Sequence, residues 1–185
     1  MLTANQLGVA ARTVGDVARA AAAFERATAI AERVRGTQHR TTLQIHRNLV
    51  AVRLQSGDAD AAVRLAEDDL AILRRTCGEE DEDTLRGIDV LGAGYLTLKD
   101  YDRVVALLEP SLPRFFTVLG EHEGTALGSL SRLGHAYLMT GRSRDAKGIL
   151  ELSAALSTRL YGSDDRRTEV ERANLKIACE VISGV

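Results

Sequence analysis

Leu91-Gly92-Ala93-Gly94-Tyr95 is answered 42 residues later by Leu133-Gly134-His135-Ala136-Tyr137. The leucine belongs to a longer series, Leu7, Leu49, Leu91, Leu133 and Leu175, spaced by the same 42 residues. Two glycine series share the period. One is Gly36, Gly78, Gly120 and Gly162; the other is Gly15, Gly57 and Gly141, with Lys99 in its third slot. One register therefore runs through all 185 residues without an insertion, and a fixed period of this length marks an array of supersecondary units.

Each recurring residue has a physical role. Glycine tolerates the left-handed conformation that ends a helix, so both glycine series read as helix stops. Asp16, Asp58 and Asp100 follow the first series and can accept from the free N–H groups of a new helix; in the fourth unit Arg142 takes that slot and Ser143 is the candidate cap. Thr42, Thr84 and Thr168 read as caps of the helices after the second series. Thr168-Glu169-Val170-Glu171 has the form of a capping box. The pattern predicts first helices near 2–13, 43–56, 85–98, 127–140 and 168–182, and second helices near 16–35, 58–76, 100–118 and 143–160. Pro110 and Pro113 fall inside the third of the second helices, where loss of the N–H and a clash with the preceding turn predict a bend. Of the adjacent Phe115 and Phe116, one is expected in the core and the other as a lightly exposed contact residue or packed under the next linker.

Composition excludes several classes. The hydrophobic fraction is 45%, too high for general disorder. Aromatics make up 4% with no Trp, against a sandwich or barrel, and only two prolines interrupt the chain. A net charge of −2 argues against a nucleic-acid partner. Residues 1–8 lack the charged and apolar regions of a secretion signal, and no apolar stretch reaches membrane-spanning length, so a cytoplasmic location with no membrane partner is expected. Cys77 and Cys179 have no metal-ligand spacing, and His39, His46 and His122 form no ligand set. No metal or cofactor is expected.

The small residue and aromatic of Gly92-Ala93-Gly94-Tyr95 and Gly134-His135-Ala136-Tyr137, with Ala20, Ala62 and Ala146 in the second helices, resemble the tetratricopeptide pattern. Val104, Val50, Lys176 and Arg53 depart from it. The linker 119–125 and the Asn-Leu steps Asn48-Leu49 and Asn174-Leu175 resemble the 42-residue subfamily of kinesin light chains and many bacterial regulators. The resemblance implies an all-α fold, a right-handed superhelical solenoid of antiparallel helix pairs. It also implies one array over 1–185, with repeats near 1–42, 43–84, 85–126 and 127–167 and a terminal helix at 168–182. The array is either part of a larger protein or a stand-alone one capped by its last helix.

In that geometry the first helices line a concave groove. The resemblance places Gln44, Arg47 and Asn48 there, then Arg86 and Asp89, then Ser131, Arg132 and His135, then Asn174. Any one of these is more simply a solvated polar side chain. As a set, Arg47, Arg86 and Arg132 suit a partner peptide with acidic residues or a free carboxylate, since guanidinium groups hold carboxylates with paired bonds. Asp89 is positioned to neutralise part of that charge. Asn48 and Asn174 can bond an extended backbone. The acidic run 79–83 reads as a solvated loop that helps cap the next helix.

Ser131, His135 and Asp89 allow a hydrolase triad to be imagined, but no oxyanion hole or strained nucleophile turn accompanies them. The expected function is a non-enzymatic protein-interaction scaffold or sensor module. The alternative is self-assembly through the ends or the convex face. A final helix with an exposed apolar face would favour the latter, but Arg166, Arg167, Glu169, Glu171, Arg172, Lys176 and Glu180 look sufficient to cover it.

Overall fold

The computed structural model describes residues 2–120 and 124–184; the centre of the 119–125 linker, with His122, lies outside the described residues. Nine helices and no strand occur among the described residues: α1 (Leu2–Thr13), α2 (Val17–Arg35), α3 (Arg40–Ser56), α4 (Ala59–Cys77), α5 (Glu82–Thr97), α6 (Tyr101–Leu108), α7 (Gly124–Met139), α8 (Ser143–Tyr161) and α9 (Arg166–Ser183). Helix α6 continues through a 3₁₀ turn (Glu109–Ser111), one α turn (Leu112–Arg114) and a π turn (Phe115–Leu119). None of the helices is long and apolar enough to cross a membrane.

The two glycine series end helices in different conformations. Gly57 has φ +88° and ψ 4°, the left-handed cap expected of it. Lys99 adopts φ +60° in the equivalent slot, because this region is strained but accessible to a side chain. Gly36, Gly78, Gly120 and Gly162 instead combine φ of +79° to +91° with ψ of 162° to 173°. That region is closed to residues with a Cβ, so glycine fills all four slots.

The helix starts require corrections. The caps of α3, α5 and α9 are His39, Asp81 and Asp165, whose side chains accept from the N–H two residues on. Thr42, Thr84 and Thr168 lie three residues inside and are fully buried. The hydroxyls of Thr42 and Thr168 donate to the carbonyls of Gly36 and Gly162, both at 2.8 Å, and so tie each linker to the helix that follows it. The capping box at Thr168–Glu171 does not form: Glu171 accepts from Ser153 in the interior at 2.8 Å. Asp16 and Asp100 cap as expected, whereas Asp58 makes no side-chain cap bond and Ser143 is the first residue of α8 rather than its cap.

Pro110 and Pro113 interrupt the α bonding as the missing N–H groups require. Ser111 Oγ donates to the Leu107 carbonyl at 2.9 Å in the same stretch. Phe115 is fully buried; Phe116 is half-buried against the cluster of Leu127, Leu130 and Leu156.

The helices fall into two compact units, residues 1–98 and 99–185. In the first, Ala11, Ala20, Phe24, Leu49 and Val52 form one cluster and Ala27, Ala31 and Ile45 another. Phe24 is wholly buried, worth roughly 2–3 kcal/mol. A Cβ on Gly8 would stand 2.7 Å from the Phe24 ring, so α1 and α2 meet closely only because that residue is glycine. In the second unit Gly134 plays the same part against Leu150, at 2.6 Å. Side-chain volume is also traded between neighbouring helices. Ile45 packs on Ala31, whereas one period later Gly87 faces Leu73, whose Cδ1 would lie 3.2 Å from an added Cβ.

Candidate interaction surface

Helices α1, α3 and α5 of the first unit border an open hollow of about 480 Å³ lined by Asn5, Arg40, Thr41, Gln44, Ile45, Arg47, Asn48, Glu82, Asp83 and Arg86. Four expected groove residues, Gln44, Arg47, Asn48 and Arg86, therefore come together. Asp89 is half-buried one turn beyond Arg86 on α5.

The charge of this hollow departs from expectation. Asp83 is a buried acceptor rather than a loop acid. It receives Arg47 Nη1 at 3.2 Å and Gln44 Nε2 at 3.2 Å, and Arg40 Nε also donates to it. Burial pushes its carboxyl up, but the bonds from Arg40, Arg47 and Gln44 outweigh this and hold it below the ordinary carboxylate range. Arg86 is bonded to Glu82 one turn earlier, at 2.6 Å. The arginines are thus held in place by carboxylates of the same chain. Asn48 Nδ2 donates to Asn5 Oδ1 at 3.3 Å.

Sequence reasoning missed Asn5, Arg40 and Asp83. Asn5 stands one period before Arg47, which was a usable signal. Asp83 was concealed inside an acidic run in which Glu79 pairs with Arg74 at 2.9 Å and Asp81 caps α5.

In the second unit, Ser131, Arg132 and His135 are half-buried on α7, and the His135 ring rests against Tyr101 with centroids 5.9 Å apart. Asn174 is half-buried on α9. The covering of α9 requires correction: Val170, Ile177 and Val181 are 49%, 49% and 57% exposed, and Glu171 points inward.

Paired helices on one unbroken period, with small residues at their crossings, define a helical-repeat protein. Residues 1–75 and 126–167 each match family models described as tetratricopeptide repeat. The chain belongs to the tetratricopeptide-repeat family. Among solved structures, a protein of Podospora anserina with nearly identical kinesin-light-chain TPR-like repeats is 22% identical, covering 98% of this chain and 86% of that one with a TM-score of 0.81. BtubC (BKLC) of P. vanneervenii is 19% identical over 96% and 70%, TM-score 0.77, and MamA of AMB-1 is 17% identical over 98% and 99%, TM-score 0.59. No curated protein matches the chain.

Proposed function

We propose that the chain is a scaffold or sensor module that holds an extended peptide in the hollow of its first unit, and that the peptide carries acidic residues or a free carboxylate. Tetratricopeptide repeats serve protein–protein interaction in general. The observation that carries the finer reading is the convergence of Arg40, Gln44, Arg47, Asn48 and Arg86 on one open hollow. An incoming carboxylate competes with Asp83 and Glu82 for guanidinium groups already held in the right place, which lowers the entropy lost on binding. Adjacent first helices in such stacks lie roughly 10 Å apart, about three residues of extended chain. Arg132 and His135 occupy equivalent slots in the second unit, and we assign them the same role there. The unbroken 42-residue register is the ground for treating 1–185 as one array.

The test uses arrayed ten-residue peptides in acidic, neutral and basic sets, each with a free or amidated C-terminus. Acidic or free-carboxylate peptides should bind the full chain, more weakly as salt rises, and Arg47→Ala with Arg86→Ala and Arg132→Ala should abolish the preference. Equal capture by the folded triple variant places the interface elsewhere.

A second reading, assembly through the last helix, is favoured by the exposed row Val170, Ile177 and Val181. Light scattering across a concentration series distinguishes it. Association that disappears with Ile177→Glu supports this reading, and a monomer at all concentrations removes it.

A further inference from the structure

His46 lies in the interior of the first unit, 3% exposed, where α2, α3 and α4 meet. Each of its ring nitrogens faces a carboxylate from a different helix. Nδ1 is 2.9 Å and 3.1 Å from the two oxygens of Asp69 on α4. Nε2 is 3.2 Å from Glu32 Oε1 on α2, in ion-pair contact without a well-directed hydrogen bond. Asp69 is itself buried; the Glu32 side chain is 40% exposed.

A neutral imidazole has one N–H and one lone pair. With the proton on Nδ1, facing Asp69, the Nε2 lone pair faces Glu32. With the proton on Nε2, the buried Asp69 carboxylate faces a lone pair at 2.9 Å. Either tautomer sets one carboxylate against a lone pair, the buried Asp69 or the partly exposed Glu32. Only the imidazolium, with a proton on each nitrogen, satisfies both.

We propose that protonated His46 is a latch joining α2 and α4 to α3, and that removing its proton releases the Glu32 contact and loosens the α2–α3 seam. The charged groups facing His46 are Glu32 from α2 and Asp69 from α4, with Asp68 beside Asp69 adding to the negative field. Burial alone lowers the His46 pKa; the bond and charge of Asp69, then Glu32, outweigh it and raise it above the ordinary histidine value. Burial likewise raises Asp69, against the pull of His46. A group whose pKa is raised on folding contributes stability that is full below its unfolded value and is lost as pH rises through its folded value. The His46 contribution is therefore lost as pH rises through its raised folded value, and that of Asp69 as pH rises from the ordinary carboxylate range through its own.

The experiment follows the His46 ring nitrogens by long-range proton–nitrogen NMR on the full chain from about pH 5.5 to 8.5, alongside urea unfolding at the same pH values. Both nitrogens should be protonated at the acid end, and the unfolding midpoint should fall as the His46 signals titrate. Glu32→Gln, partly exposed and expected to fold, should lower the His46 midpoint and flatten the pH dependence of unfolding. A single neutral tautomer at about pH 5.5 in the unmodified chain overturns the latch, as does an unchanged pH dependence in Glu32→Gln.

Discussion

Arg47 Nη1 and Asp83 Oδ1 meet at 3.2 Å across two neighbouring first helices, 36 residues apart in the chain. The contact has two consequences, one for stability and one for binding. Replacing Asp83 with Ala leaves Arg47 and Gln44 without their acceptor and should cost about 1.5–3 kcal/mol, measured by urea unfolding. Because folding lowers the Asp83 pKa, its stabilisation is full above the unfolded carboxylate value and is lost as pH falls through the folded one. In acid titrations the wild type should therefore lose more stability than Asp83→Asn. The Asn variant should also bind acidic peptides more tightly, since Arg47 no longer faces an anion; weaker binding would contradict the competition described above.

The helix-ending glycines should respond unequally to alanine. Gly78→Ala forces a Cβ into a region almost reserved for glycine and should cost about 1–3 kcal/mol. Gly57→Ala meets the milder left-handed penalty of about 1–2 kcal/mol. Thermal unfolding of both variants tests the order, and a larger loss for Gly57→Ala contradicts the distinction between the two series.

The crossing at Gly134 should be intolerant of a methyl group. Gly134→Ala places a Cβ against Leu150 and should destabilise by about 1–3 kcal/mol through overpacking. Combining it with Leu150→Ala should cost less than the sum of the single changes, and strict additivity in that double-mutant cycle argues against direct contact.

Thr42 and Thr168 should behave as linker anchors. Thr168→Val keeps the shape, removes the bonds to the Gly162 carbonyl and to Ser157 Oγ and should cost about 1–3 kcal/mol. If Thr168 were a cap instead, hydrogen exchange would rise at the first turn of α9. The structure predicts increased exchange in the linker 162–165 and an unchanged first turn, which Asp165 caps.

Helix count, pairing and helix ends were legible because they depend on local chemistry repeated at a fixed interval. The caps were misplaced by three residues because Thr42, Thr84 and Thr168 and the true caps His39, Asp81 and Asp165 recur on the same period, and both sets contain good capping residues. Burial decides between them, and burial is not local. Arg47 and Arg86 are placed at the candidate hollow by the resemblance, but Arg40 and the carboxylate partners are not. Asp83 is solvated or buried according to what α3 sets against it. His46 read as an isolated histidine because Glu32 and Asp69 lie 14 and 23 residues away on other helices. No periodicity signals that convergence.

The exchange of volume between Ile45 on Ala31 and Gly87 on Leu73 gives the array a fixed order. Excising residues 43–84 would bring Gly87 against Ala31 and leave a void on both sides of the joint. Duplicating the same segment would drive Ile45 into Leu73. The repeats share a length, yet the first two are not interchangeable bricks: Ala31 and Leu73 are each matched in volume to the residue that follows on the next helix.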